Sequence, residues 1–254
     1  KEYKVDVAAR VVGTTLGALY YVDDILDDKG QIPKEIHEKM GQIMQVVTRV
    51  ALSTDRPIDF CVVVIRDRAH QNELLITRSL DDTKRANSDA IGVEESINRT
   101  LFGQGKYQLG DQGEKQFMLK EVTLEDFLAE QIAQRIRFGF AKESAKDEGN
   151  TQQPFVLVDG VFNRGADGKD KRFRFSVLSL KAEEPYDTLR AVLKTVSDVL
   201  GGYKFTDYTV IEIFDYLNRQ KLEIPKAVMD DFILKKISDQ AVLDQYVTES
   251  QTIQ

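Results

Sequence analysis

The amino-acid sequence predicts an α+β fold, in which an N-terminal helical hairpin packs on an antiparallel or mixed sheet of about five strands and a helical region follows. Two observations predict this class. The predicted strands arrive mostly in hairpins and the predicted helices in runs, which favours α+β over a doubly wound α/β fold. The apolar spacing also changes along the chain between the helical period and the alternation of a strand.

The predicted N-terminal hairpin consists of two apolar series at helical spacing. The first series covers residues 5–26 and the second covers residues 36–50, each in steps of three and four. Gly30 is typical of a residue that ends a helix, here the first, and Pro33 is typical of the first turn of the second. These features predict two helices joined by a short acidic connection.

Three strands are predicted in the middle of the chain. Residues 58–65 are apolar on both alternating faces, which is typical of a central strand covered on both sides. Residues 73–77 are expected to return antiparallel to it, and residues 116–122 to form a third strand. Thr123 then fits the N-cap of a helix.

Residues 81–115 are polar and rich in glycine, with one short helix predicted near residues 93–101. An irregular segment of this length inside a compact domain is usually functional or disordered. We therefore expect the ligand-binding region here, with Lys106 and Tyr107 as its candidate residues. The surrounding glycines do not complete a G-x-G-x-x-G loop or a P-loop.

The second half of the chain begins with a predicted β-hairpin. Residues 154–162 and 172–180 form its strands, and Asp167 and Gly168 supply a strong turn signal between them. After Pro185 the apolar spacing is helical to the end of the chain.

The best candidate for a linker is the segment 144–153, which contains no large apolar residue. A linker at this place predicts an α+β domain over residues 1–143 and a β-hairpin with a helical region over residues 154–254. The alternative is that both regions pack as a single domain. The strand–strand–helix order recurs loosely in the two halves, which is too weak to predict a duplication.

Composition excludes several classes of function. The 254 residues include one cysteine and two histidines and carry a formal net charge of −7. One cysteine excludes a disulfide framework and a Cys-rich metal site, and it fits a reducing, cytoplasmic compartment. No window is apolar for long enough to span a membrane, and no apolar leader follows Lys1. His37 and His70 are interpreted as ordinary surface residues.

Acidic residues between the first two predicted helices are candidate metal ligands: Asp24, Asp27 and Asp28. Their spacing does not match an EF-hand loop, so the alternative interpretation is a solvated helix end. The segment 20–24 resembles the Tyr-x-Asp-Asp box of reverse transcriptases, but its surroundings have helical spacing, whereas that box lies at the tip of a β-hairpin.

A basic strand supplies candidate phosphate- or nucleic-acid-binding residues: Lys169, Lys171, Arg172 and Arg174. Cations on an open sheet face can contact phosphates while exposed aromatic rings stack on bases. Alternation instead places Phe173 and Phe175 on the core side, and the negative net charge does not favour a general nucleic-acid binder.

These observations predict a non-catalytic cytoplasmic binding protein, which takes a small ligand or a protein partner and self-associates. No catalytic residue and no cofactor is predicted. The alternative is a metal-dependent enzyme that acts on nucleic acid or nucleotides through Asp159 and the acids of residues 23–28. A weaker alternative is a nucleic-acid-binding protein that uses the basic strand face. No membrane contact is expected.

Overall fold

The computed structural model describes residues 7–107, 119–144, 156–179 and 186–249. The chain forms two compact units, Lys1–Val122 (unit 1) and Thr123–Gln254 (unit 2). Unit 1 contains, in chain order, β1 (Ala8–Val12), β2 (Thr15–Val22), α1 (Lys34–Ser53), β3 (Phe60–Asp67), β4 (Asn72–Ser79), α2 (Leu80–Asn87), α3 (Val93–Asn98) and β5 (Leu101–Lys106). Unit 2 contains α4 (Leu124–Ser144), β6 (Val156–Arg164), β7 (Lys171–Ser179), α5 (Asp187–Tyr203), β8 (Val210–Asp215), β9 (Gln220–Pro225), α6 (Lys226–Ile233), α7 (Asp239–Tyr246) and β10 (Val247–Glu249).

The predicted mixture of helices and strands is confirmed, but the described residues form two five-stranded sheets, not one. In unit 1 the strand order is β1-β2-β3-β4-β5. The neighbours β2 and β3 are parallel and are connected through α1, while the other neighbours are antiparallel. Parallel neighbours require such a crossover connection. Helix α1 packs its apolar stripe on this sheet.

Unit 2 repeats the same topology. Its strand order is β6-β7-β8-β9-β10, and only β7 and β8, which are connected through α5, are parallel among its described neighbours. The central hairpin turns also correspond, since Asp67 and Asp215 end β3 and β8. The same interval separates Gln71 from Asp67 and Arg219 from Asp215, and these two turn residues have φ angles of 58° and 51°. The two units are therefore two copies of one topology.

The predicted N-terminal helical hairpin is wrong in its first half, because the chain begins with the antiparallel strands β1 and β2. Nearly every residue of β2 is apolar, so the segment satisfies helical spacing as well as that of a strand buried on both faces. Gly13, with a φ of 54°, occupies the turn between the strands. The second predicted helix is confirmed as α1, which begins after Pro33.

Asp23 and Asp24 follow the strand β2 and not a helix, so in this respect the segment is like the Tyr-x-Asp-Asp box. A difference remains, because the chain enters α1 and does not return as the second strand of a hairpin. The polymerase-type arrangement of carboxylates is therefore not formed by this segment.

The predicted all-helical C-terminal region is also wrong, since it contains β8, β9 and β10. Residues 210–217 are apolar at helical spacing, but they are rich in β-branched and aromatic side chains, which favour strands. Helices α5, α6 and α7 lie where helices are predicted, and Pro225 precedes α6.

The predicted irregular segment 81–115 is largely regular as far as it is described. It contains most of α2, all of α3 and β5, and an ion pair between Arg99 and Asp82, both buried, at 2.8 Å. Residues 108–115 lie outside the described residues. The third strand predicted at 116–122 is described only from residue 119, and residues 119–122 are not a strand.

Several expectations for the second half are confirmed. The hairpin of β6 and β7 forms, and Phe173 and Phe175 are buried in the core. The backbone N–H of Asp126 donates to Thr123 Oγ1 at 3.2 Å, which caps α4. All but the first residue of the predicted linker 144–153 lies outside the described residues, so the predicted domain division stays a prediction. No helix in the described part of the chain is long and apolar enough to cross a membrane.

Candidate functional site

The carboxyl ends of β2 and β3 bring together polar residues from two distant parts of the sequence. Asp24 follows β2, and β3 ends at Asp67, three residues before His70. Because β2 and β3 are parallel neighbours, their carboxyl ends lie at the same edge of the sheet. Ligands of open sheets with crossover helices commonly bind at such an edge.

Asp67 is fully buried and stabilises the turn that follows β3. Its carboxylate accepts hydrogen bonds from the backbone N–H of His70 at 2.8 Å and from the backbone and side-chain nitrogens of Asn72 at 3.1 and 2.7 Å. Burial by itself raises the pKa of Asp67, but these hydrogen bonds outweigh it and hold the pKa below its ordinary value of 3.8.

Asp215 has the same role in unit 2. Its carboxylate accepts hydrogen bonds from the backbone of Leu217 at 3.1 Å and from the backbone and side-chain nitrogens of Asn218 at 3.2 and 2.8 Å. The stabilised turn therefore belongs to the shared topology, and the aspartate by itself does not mark a ligand site.

His70 and Asp24 are additions specific to unit 1. His70 Nδ1 lies 2.7 Å from Asp24 Oδ1, and the two side chains are 64% and 53% exposed. In unit 2, Asn218 occupies the position that corresponds to His70. One ligand atom from each of Asp24, Asp67 and His70 lies within 4.8 Å of the others, an arrangement that can hold a metal ion (the carboxyl-end cluster).

The sequence-predicted metal ligands are only partly brought together. Asp24 belongs to the carboxyl-end cluster, but Asp27 Oδ1 accepts hydrogen bonds from the backbone of Lys29 and of Gln31, both at 2.9 Å. Asp27 therefore stabilises its own turn, and Asp28 is an exposed residue of the same turn. Asp159, an alternative candidate, lies on β6 in unit 2.

The predicted ligand-binding residues Lys106 and Tyr107 lie at the same sheet edge. Lys106 Nζ is 3.4 Å from the carbonyl oxygen of His70. The buried Tyr107 hydroxyl donates to the carbonyl oxygen of Asp67 at 2.6 Å. Both contacts are made to backbone carbonyl oxygens at or after the end of β3. These two residues therefore stabilise the loop that carries His70 of the cluster.

The predicted basic strand faces acidic partners in unit 2. Arg172 contacts Asp170 at 2.8 Å and Glu212 at 3.1 Å, and Arg174 contacts Glu212 at 3.0 Å. Lys171 pairs with Asp207, and Lys169 is exposed in the preceding turn.

Glu212 is the centre of this charged network and is almost fully buried. Burial alone raises the pKa of Glu212, but hydrogen bonds from Arg174 and Lys221 outweigh it and lower the pKa. The cations on this strand face are thus matched by carboxylates, which leaves little charge for phosphates.

A second candidate site in unit 1 is an apolar groove of about 190 Å³ between α1 and the β1–β2 edge of the sheet (the open groove). It is lined by Val7, Ala9, Leu16, Gly17, Ala18, Gln42, Ile43, Val46, Val47 and Val50. Val46 and Val50 on its rim are 38% and 54% exposed. Exposed apolar side chains that are grouped around a groove, unlike ones scattered singly, can mark an interaction site.

The corresponding surface of unit 2 is covered by α4. This helix packs against α5 and β6, and it contributes fully buried residues to their common core: Leu128, Ala129, Ile132 and Ile136. The approach is close at Gly160, where an added Cβ would lie 2.6 Å from the carbonyl oxygen of Ala129. Two copies of one topology therefore differ in whether the described residues fill this groove.

Smaller side chains on the paired strands explain why unit 1 has space in this groove. In unit 2 the paired residues Phe162 and Phe173 place their ring centroids 4.7 Å apart. The corresponding pair in unit 1 is Ala9 and Ala18. Sequence reasoning missed this site, although the surplus apolar positions Val46 and Val50 on α1 are a signal of it.

The sequence matches no protein-family model and no curated protein. A solved structure described as "Crystal structure of Sex pheromone staph-cAM373 precursor" is similar at 11% identity, over 84% of this chain and 67% of that chain, with a TM-score of 0.22. A similarity this low carries no argument about fold or function.

Proposed function

We propose that the protein is a non-catalytic binding protein and that unit 1 binds a protein partner in the open groove. The observation that carries the proposal is the contrast between the two units, since α4 fills in unit 2 a surface that no described residue covers in unit 1. Covering Val46 and Val50 would remove apolar surface from water, which is the main driving force of protein association.

The proposal is tested by titrating the full chain with the fluorescent apolar probe 8-anilinonaphthalene-1-sulfonate. We expect a saturable rise in fluorescence that becomes about tenfold weaker in affinity in the Val46→Gln, Val50→Gln double variant, because the probe loses apolar contacts with both side chains. Glutamine keeps a good helix propensity, so α1 should remain folded.

The matched control is Leu52→Gln, since Leu52 is 43% exposed on the same helix and does not line the groove. It should leave the probe affinity unchanged. Probe binding that is equally strong in the double variant would reject the groove as the binding surface.

A second function, binding of a divalent cation, is favoured by the carboxyl-end cluster. An imidazole with two carboxylates is a ligand set suited to Zn²⁺ or Mn²⁺. The hydrogen bonds that Asp67 accepts keep its carboxylate ionised, which is the form that ligates a metal ion. This candidate keeps Asp24 from the sequence-based set and replaces Asp27 and Asp28 by Asp67 and His70.

Calorimetric titration with Zn²⁺ and Mn²⁺ tests this second function. We expect saturable binding that His70→Asn abolishes, because asparagine occupies the corresponding position in unit 2 and should preserve the turn while removing the imidazole. Asp27→Asn should leave the affinity unchanged. No heat with either ion, or equal binding by His70→Asn, would exclude the cluster as a metal site.

The single cysteine supports a reducing compartment, and we propose a cytoplasmic location on this basis. Cys61 is buried in β3, and burial raises the pKa of its thiol to about 11. A thiol of this kind is unreactive and forms no disulfide within the chain. Self-association and nucleic-acid binding stay predictions, and the matched charges around Glu212 give the latter little support.

A further inference from the structure

We infer that the occupant of the open groove is an amphipathic α-helix of the protein partner. The inference rests on the proposed function, because it names the structural element by which the partner binds. It is drawn from the chain's own second copy of the topology, in which the same surface is covered by the helix α4.

The position of α4 defines where such a helix lies. Helix α4 contacts α5 on one side and β6 on the other. In the shared topology α5 corresponds to α1, and β6 corresponds to β1, because each of these strands is the edge neighbour of the first parallel strand. The groove between α1 and β1 is therefore the place of α4 in unit 1.

The buried face of α4 defines the chemistry that the groove accepts. Four buried positions at helical spacing, two small and two branched, form part of this face: Ala129, Ile132, Ala133 and Ile136. Small residues let a helix approach a sheet closely, while branched residues fill the space beside it. Recognition of an apolar helix face by an apolar groove is an established mode of peptide binding.

The two grooves differ in the point of closest approach. Gly160 admits α4 in unit 2, and Val7 occupies the corresponding position in unit 1. The small residue in unit 1 is Ala9, two positions further along the same face, where unit 2 has Phe162. Side chains on one strand face repeat every two residues, so the bound helix should lie about 7 Å further along β1 than α4 lies along β6.

An extended segment is the main competing occupant, since β1 is an edge strand of its sheet. A strand added there would pair with the backbone of β1 in the plane of the sheet. The groove instead lies on the face that carries α1, and it is lined by residues of that helix, of β1 and of β2 together with Val7. This placement favours a helix over an added strand.

The probe for this inference is a labelled synthetic peptide of residues 123–141, which is the helix that fills the groove of unit 2. Fluorescence anisotropy with the full chain should give saturable binding, and circular dichroism should show that the peptide gains helix on binding. Sedimentation of the free chain at the same concentrations checks that a second copy does not already cover the groove.

Two chain variants and one peptide variant make the test specific. Ala9→Phe introduces the residue of unit 2 into the groove and should weaken peptide binding at least tenfold by occupying its space. Leu52→Gln should leave the affinity unchanged. The Ala133→Pro peptide should lose binding, because proline interrupts a helix but would leave an added strand partly paired.

The result that supports the inference is helical binding that Ala9→Phe weakens and Leu52→Gln does not. Absence of saturable binding, binding as a strand, or binding unaffected by Ala9→Phe overturns the helical occupant. A different result rejects the proposed function, namely that the fluorescent apolar probe does not bind the groove. A peptide that fails in a chain that still binds the probe therefore rejects the helix alone.

Discussion

Replacing Asp67 by alanine should lower the free energy of unfolding of unit 1 by about 3 kcal/mol. The buried carboxylate accepts hydrogen bonds from the backbone of His70 and from both nitrogens of Asn72. Hydrogen bonds to a charged group contribute about 1.5–3 kcal/mol each, and donors left buried without a partner add to the loss. Hydrogen exchange measured by mass spectrometry, which reports on each unit separately, provides the measurement.

Asp215→Ala is the matched variant, since Asp215 stabilises the corresponding turn of unit 2. It should destabilise unit 2 by a similar amount and leave exchange in unit 1 unchanged. A large effect of one variant and none of the other would contradict the shared role of the two aspartates.

The lowered pKa of Asp67 gives this prediction a pH dependence. A carboxyl group whose pKa is lower in the folded state stabilises fully above its ordinary pKa, which is 3.8 here. The contribution is lost as the pH falls through the folded-state pKa. The difference between the original chain and Asp67→Ala should therefore be largest near neutral pH and shrink in acid.

Phe175→Ala should destabilise unit 2 by about 4 kcal/mol, because the loss of a large buried ring leaves a cavity. The Phe175 side chain is fully buried and its ring is stacked on that of Phe173, with centroids 6.2 Å apart. It also contacts the position where α4 approaches Gly160. Urea unfolding monitored through exchange in unit 2 measures the loss.

The matched residue in unit 1 is Tyr20, which pairs with Ile65 as Phe175 pairs with Ile213. Tyr20 is only half-buried, and Lys39 Nζ lies 5.6 Å from the centre of its ring. Tyr20→Ala should therefore cost about 1–2 kcal/mol, because less surface returns to water. If both variants lost the same free energy of unfolding, Tyr20 would be as well packed in unit 1 as Phe175 is in unit 2, which would contradict the prediction.

The sequence alone predicts an element correctly where its apolar residues match either the helical period or the strand period, but not both. Helix α1 has an apolar stripe bounded by polar residues, and the hairpin of β6 and β7 has strict alternation around an Asp-Gly turn. The segments β2 and β8 are ambiguous because their apolar residues satisfy both the helical and the strand period, and the helical prediction is wrong for both. Burial on both sheet faces decides such cases, and it depends on neighbours distant in sequence.

The candidate sites are only partly predictable for the same reason. Asp24 is a predicted ligand, but its partners Asp67 and His70 come from another strand and meet it only through the parallel pairing of β2 and β3. One signal is present in the sequence, since an apolar strand ending in aspartate recurs with histidine or asparagine three residues later, at Asp67 and at Asp215. This pattern of residue types marks the duplicated turn.

The open groove requires comparison of the two units, because nothing in α1 alone says which of its apolar residues are covered. Val46 and Val50 extend the stripe of α1 beyond the width that the sheet covers. The paired alanines Ala9 and Ala18 stand where unit 2 has paired phenylalanines, and this exchange becomes visible only when the strand registers are aligned.

Photochemical carbene labelling of the full chain, read by residue-level mass spectrometry, measures whether unit 1 holds an open copy and unit 2 a filled copy of the same groove. Labelling should be strong at Val46 and Val50 and minimal at Val192 and Val196 of α5, which are fully buried. Minimal labelling at all four valines would contradict the open groove, and strong labelling at Val192 and Val196 would contradict the closed core of unit 2.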